Sequence, residues 1–109
     1  MSTDVTAGTR HRLGPLDQIP YGEGRAFAVA GEQIAVFRMR DGGLRAVSAV
    51  CTHKGGPIAD GQIDGRVVLC PLHLNAFDLR TGVSTSGAEP LCSYPVTEAD
   101  GDIVVTVAP

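Results

Sequence analysis

The chain has 109 residues, 43% of them hydrophobic, with a formal net charge of −3, no Trp, three Cys and three His. This length predicts one small domain, and three imidazoles exclude any site that needs four or more. The nine basic residues are scattered along the chain and form no basic stripe. We therefore expect no nucleic-acid partner.

The sequence also lacks any segment that would take it into a membrane. No stretch contains the ~20 apolar residues that cross a bilayer, and residues 1–12 lack the apolar core of a signal peptide. We expect a soluble, cytoplasmic protein without membrane contact. An odd number of Cys in a reducing compartment disfavours a disulfide framework and favours metal binding. We expect residues 1–9 to form a flexible tail and residues 10–109 to form a single domain.

Short apolar runs separated by turn signals predict an all-β domain. Val, Ile and Thr outnumber Lys, Glu and Gln, which favours strands over helices. Residues 25–40 predict two strands joined by a turn at Ala30-Gly31-Glu32, and a second turn at Asp41-Gly42-Gly43 leads into a strand over residues 44–50. Further strands are predicted over residues 67–70, 76–79 and 103–107.

Two segments contain the candidate metal-binding residues, and each follows an apolar strand. The first contains Cys51 and His53, and the second contains Cys70 and His73. Two thiolates and two imidazoles form a donor set that iron and zinc accept. A single Cys or His would more simply be a core or surface residue, but two Cys-His pairs on matching loops predict a metal centre.

The order and spacing of these four residues distinguish among metal sites. A ββα zinc finger places both Cys before both His, whereas here C-x-H is followed by sixteen intervening residues and then C-x2-H. This arrangement resembles the Rieske [2Fe-2S] family. The resemblance continues through Gly55 to Gly61, Phe77 to Gly82 and Tyr94 to Val96, and so covers most of the chain.

The resemblance implies a fold, a cofactor and a ligand set. The implied fold consists of small antiparallel sheets with two cluster-binding loops at one tip, and the cofactor is one Rieske-type [2Fe-2S] cluster. Cys51 and Cys70 would bind the inner iron, and His53 and His73 the outer iron, nearer to solvent.

The chain departs from the Rieske proteins of cytochrome bc complexes at four positions. Those proteins carry an extra disulfide-forming Cys where this chain has Gly56 and Leu72, so that disulfide is absent here. They also carry Ser and Tyr donors to the cluster sulfurs where this chain has Asn75 and Phe77. Because Phe77 cannot donate a hydrogen bond, we expect a reduction potential toward the low end of the Rieske range.

The predicted function is one-electron transfer without a substrate site of the chain's own. Rieske-type oxygenases add a mononuclear iron held by two His and one carboxylate, and only His11 remains here after the cluster takes its two. The expected surface for docking a redox partner surrounds the outer iron and comprises His53, Lys54, Pro57, Leu72, His73 and Leu74.

Three functional hypotheses remain open. The preferred one is the small subunit of an assimilatory NAD(P)H nitrite reductase, whose partner would be the nitrite reductase large subunit. The alternative is a free ferredoxin that carries electrons from an NAD(P)H-linked flavoprotein reductase to a terminal oxygenase, such as a ring-hydroxylating dioxygenase. A third, of another class, is a structural zinc-binding domain with no redox role.

Three other polar residues are assigned no function. Cys92 is interpreted as a small buried residue of a strand, and His11 as a solvated residue near the tail. Asp78 is interpreted as a turn residue that bonds to its own backbone.

Overall fold

The computed structural model describes residues 9–49, 58–64, 67–69, 76–84 and 91–107. These ranges contain short 3-10 helices at Leu16–Gln18 and Ile58–Asp60, and no helix in them is long and apolar enough to span a bilayer. Their strands are β1 (Thr9–Pro15), β2 (Glu23–Val29), β3 (Glu32–Arg38), β4 (Leu44–Ser48), β5 (Gln62–Asp64), β6 (Val67–Leu69), β7 (Ala76–Asp78), β8 (Ser93–Tyr94), β9 (Val96–Ala99) and β10 (Asp102–Val107).

The strands form three small sheets in which each pair is antiparallel. The terminal sheet has the order β1-β10-β9, the central sheet β2-β3-β4-β8, and the loop sheet β5-β6-β7. The predicted all-β class is therefore confirmed.

Local turn chemistry produces the two hairpins of the central sheet. Ala30 and Gly31 have φ values of 50° and 82°, and a pair of positive φ values matches the twist of a two-residue hairpin. After β3, the Asp41 carboxylate accepts a hydrogen bond from the Gly43 N–H at 2.8 Å, and the chain returns as β4. Both turns are where the sequence predicts them.

Strand β3 is buried on both faces and joins two hydrophobic cores. Ile34 and Val36 pack with β10 residues in the core toward the terminal sheet. Ala35 and Phe37 pack with β6 and β7 residues in the core toward the loop sheet. A strand covered on both sides needs a continuous apolar run instead of an alternating one, which explains the sequence Ile34 to Phe37.

The sequence prediction omitted β1, β5 and β9. Thr9 belongs to β1, although the sequence placed it in the tail; residues 1–8 lie outside the described ranges. These strands carry no strong apolar alternation. They form because a neighbouring strand supplies backbone partners, as β10 does for β1 and β9.

Tyr94 connects β8 to the start of β3. Its hydroxyl donates a hydrogen bond to Glu32 Oε1 at 3.0 Å. Partial burial raises the pKa of Tyr94 above its ordinary value of 10.0, and the hydrogen bond to the Glu32 carboxylate raises it further.

This raised pKa predicts a loss of stability at alkaline pH. The Tyr94 proton leaves the unfolded chain near the ordinary value of 10.0 and leaves the folded chain only at higher pH. Its contribution is complete below pH 10 and is lost as the pH rises through the folded pKa. We expect urea unfolding between pH 8 and 11 to show a shallower alkaline decline in Tyr94→Phe than in wild type, with Glu32→Gln in between. An equal decline in all three proteins would contradict this.

Candidate metal centre

The first candidate segment, residues 50–57, is closed at its base by backbone hydrogen bonds. The N–H of Ile58 donates to the carbonyl of Ala49 at 2.8 Å, and the N–H of Ala49 donates to Gln33 at 2.8 Å. Ala49 and Ile58 are both buried in the core toward the loop sheet. The residues on either side of this segment are therefore in direct contact and fixed to β3.

The second candidate segment, residues 70–75, begins and ends on paired strands. Leu69 is the last residue of β6 and lies opposite Ala76, the first residue of β7. Next to this pair, the fully buried side chains of Val68 and Phe77 lie opposite each other and anchor both strands in the same core. The chain thus leaves and re-enters the loop sheet at neighbouring positions.

Both segments connect to the described fold at one end of the loop sheet. Leu69 lies between Gln62 of β5 and Ala76 of β7, so the two residues that flank the second segment form one row with a residue of β5. The Ile58–Asp60 turn leads directly into this row, because the N–H of Gly61 donates to the Ile58 carbonyl at 2.9 Å. The topology brings the flanks of two distant sequence segments together.

Gly61 permits this contact. A Cβ at position 61 would lie 2.3 Å from the Leu69 carbonyl oxygen and 2.7 Å from a Val68 methyl group. Real Cβ atoms do not approach backbone oxygen this closely, so only glycine fits between the exit of the first segment and the entry of the second.

The predicted ligands Cys51, His53, Cys70 and His73 lie outside the described residues. Their chemistry fits an iron–sulfur group, since thiolates bind the iron of sulfide-bridged clusters and imidazoles can bind a second iron of the same cluster. The common base of the two segments fits a centre with ligands from both. Within the described ranges, no group of three or more His, Cys, Asp or Glu side chains could hold a metal ion.

Phe77 is fully buried in the core toward the loop sheet. Its ring supplies packing and no hydrogen-bond donor, as its residue type requires. Asn75 lies outside the described residues, so the low reduction potential stays a prediction. The docking surface expected around His53 and His73 lies in the same two segments.

Two of the minor assignments were wrong. Cys92 is exposed and precedes β8, while its carbonyl accepts a hydrogen bond from the Ser48 N–H at 2.9 Å. This bond holds the backbone of Cys92 and leaves the thiol outside the core. His11 lies within β1 opposite Val105, with Nε2 buried and without a hydrogen-bond partner in the structure, because pairing with β10 draws β1 onto the domain.

The turn assignment of Asp78 was correct. Its carboxylate accepts hydrogen bonds from the backbone N–H groups of Arg80 and Thr81 at 2.8 and 3.2 Å. Sequence reasoning did not single out Arg45 and Arg80, which line one groove of the surface. No local pattern marks them, because the two residues are distant in sequence and are brought together only by the sheets.

Comparison with known proteins identifies the domain. The model of the Rieske [2Fe-2S] domain family matches residues 9–95. The anthranilate 1,2-dioxygenase ferredoxin subunit of Burkholderia cepacia is 34% identical over 107 residues, covering 96% of this chain and 98% of that protein.

Solved structures show the same fold. The ferredoxin of carbazole 1,9a-dioxygenase from Nocardioides aromaticivorans IC177 is similar with a TM-score of 0.83 and 32% identity, covering 90% of this chain and 97% of that chain. A Mycobacterium tuberculosis protein proposed to be an NADH-dependent nitrite reductase small subunit has a TM-score of 0.88 at 24% identity, covering 94% and 97%. At this identity the second likeness supports the fold alone.

The close contact at Gly61 predicts that Gly61→Ala destabilises the fold by about 1–3 kcal/mol, because the added methyl group must displace the Leu69 backbone. Urea unfolding measures this loss. Gly43→Ala is the matched control: its Cβ would meet only the Asp41 side chain, at 3.2 Å, and we expect a change within about 0.5 kcal/mol. Equal stability of the two variants would contradict the proposed role of Gly61.

Proposed function

The chain belongs to the Rieske [2Fe-2S] domain family, and we propose that it is the ferredoxin component of an oxygenase system. Membership of this family implies one Rieske-type [2Fe-2S] cluster and a role in electron transfer. When bound, the cluster supplies one-electron exchange. The structural zinc alternative receives no support from these relatives.

The ligand set that we propose is Cys51 and Cys70 on the inner iron and His53 and His73 on the outer iron. The observation that supports it is the common base of the two segments, where Leu69 is paired with both Gln62 and Ala76. A segment that starts and ends on this row, and a second one whose exit leads into it through the Ile58–Asp60 turn, can supply ligands to a single centre. The rigid sheets below them would limit rearrangement when the charge of the centre changes.

The oxygenase assignment is favoured over the nitrite reductase assignment, which the sequence placed first. The Burkholderia cepacia relative is named as a dioxygenase ferredoxin subunit and matches almost the full length of both chains. The nitrite reductase likeness rests on solved structures at 24% and 26% identity, below the 34% identity of the curated relative. The partners that we propose are therefore an NAD(P)H-linked flavoprotein reductase as donor and a terminal oxygenase as acceptor.

The ligand set predicts which cysteines the cluster requires. Cys51→Ser and Cys70→Ser should each lose most of the iron and acid-labile sulfide of the purified protein, because a hydroxyl is a poor substitute for thiolate. Cys92→Ser is the matched control, since Cys92 is exposed and lies outside the two segments. It should retain full iron and sulfide content. Full cluster content in Cys51→Ser or Cys70→Ser, or its loss in Cys92→Ser alone, would contradict the assignment.

The partner assignment predicts electron delivery to an oxygenase. We expect the reduced protein to support product formation by the ring-hydroxylating oxygenase encoded beside it, with NAD(P)H and the neighbouring reductase as electron source. The cluster-deficient Cys70→Ser variant should support none. A neighbouring sirohaem reductase that accepts electrons from the chain and reduces nitrite would establish the nitrite reductase assignment in its place.

A further inference from the structure

A groove of about 420 Å³ lies between β4, the chain around Pro95 and the turn that follows β7. Its lining includes Arg45 and Arg80 together with Leu44, Leu79, Tyr94 and Val96. The two arginines that line the groove lie close in sequence to the two candidate ligand segments, but outside them.

The two guanidinium groups of the groove have no ion-pair partner among the described residues. Arg45 donates from Nη1 to the carbonyl of its neighbour Leu44 at 2.9 Å. The Asp78 carboxylate near Arg80 accepts from backbone N–H groups instead. The described residues that line the groove include no carboxylate of their own.

Two other arginines of the described ranges, Arg12 and Arg38, have structural partners. Arg12 Nη1 lies 3.0 Å from the Asp102 carboxylate. Arg38 is stacked on the Tyr21 ring at 3.9 Å and donates to the Ile19 carbonyl at 3.1 Å. Arg12 and Arg38 thus help to hold the fold together. Arg45 and Arg80 make no such ion pair or ring contact among the described residues.

Several side chains that line the groove are already held in place by the fold. Leu44 and Leu79 belong to the buried cores, and the Tyr94 hydroxyl is held by Glu32 at 3.0 Å. A ligand would thus meet a preformed groove whose lining includes two cations. Guanidinium groups bind carboxylates with charge-assisted hydrogen bonds, often in bidentate geometry.

We propose that this groove binds a carboxylate-bearing, partly apolar segment of the protein that exchanges electrons with this chain, an inference that rests on the proposed function. The chain has a net charge of −3, so it repels an acidic partner at long range. A local pair of unpaired cations therefore orients such a partner more than it adds affinity.

The position of the groove suits this role. Arg45 precedes Ala49, at the base of the first ligand segment, by four residues, or about 13 Å of extended strand. An interface that buries about 800 Å² per partner is roughly 30 Å across. One partner can thus occupy the groove and reach the loop end of the domain, where the cluster ligands are proposed. The groove positions the partner and leaves the electron path uncovered.

The test uses the complete, cluster-loaded protein and a fluorescent pentapeptide of alternating Glu and Leu, with its termini blocked, measured by polarisation at low salt. We expect Arg45→Gln and Arg80→Gln each to weaken peptide binding by roughly threefold to fivefold, and the double variant by about tenfold. The control Arg25→Gln removes the same charge from an exposed site of β2 outside the groove and should change binding less than about twofold. A Gln-Leu peptide should bind about tenfold more weakly to wild type.

Several results would overturn the proposal. These are no binding of the Glu-Leu peptide to wild type at millimolar concentration, or an equal loss in Arg25→Gln. Benzoate binding as tightly as the peptide would make the groove a site for small carboxylates. A dimer that sedimentation detects in wild type and not in the double variant would make the occupant a second copy of this chain.

A kinetic arm separates this proposal from the proposed function. In oxygenase turnover, the double variant should raise the KM for the ferredoxin, while its reduction by dithionite stays unchanged. A chain that binds the peptide through both arginines but feeds no oxygenase would overturn the proposed function alone. An unchanged KM in a working oxygenase system would overturn the groove proposal alone.

Discussion

The constraint on which this domain depends is the backbone row at Leu69. This residue pairs with Gln62 on one side and with Ala76 on the other, and its carbonyl lies against Gly61. A centre with ligands on two segments needs both segments to start from a fixed common base. Backbone pairing provides such a base independently of side-chain identity, but it tolerates no Cβ at the point of closest approach.

The base is held in place by packing that passes through the central sheet. Strand β3 presents Ala35 and Phe37 to the core beneath the two segments and Ile34 and Val36 to the core of the terminal sheet. The core of the terminal sheet therefore supports β3 from the side opposite the core toward the loop sheet. A small aliphatic core of this kind gains its rigidity from close packing on both faces of one strand.

The arginines of the described surface differ in whether they have structural partners. Arg12 and Arg38 have structural partners, whereas Arg45 and Arg80 flank a preformed groove and have no carboxylate near enough for an ion pair among the described residues. Transient electron-transfer complexes need small interfaces with the correct orientation more than they need high affinity. A cationic groove within reach of the same partner as the proposed cluster would meet that need.

Much of the fold and the nature of the site follow from the sequence, because they depend on local chemistry. The turns at Ala30-Gly31 and Asp41-Gly42-Gly43 set the central hairpins, since positive φ and Asx hydrogen bonding are properties of those residues. The order and spacing of two Cys-His pairs gave the resemblance to the Rieske [2Fe-2S] family, and the family match over residues 9–95 confirms it. The tertiary structure alone decided the short strands β1, β5 and β9, the exposure of Cys92 and the burial of His11 Nε2, because each depends on a partner strand distant in sequence. It also decided that Arg45 and Arg80 line the same groove and that Gly61 lies against Leu69. Pairing of strands within the sheets and packing between the sheets create such proximities, which no local pattern encodes.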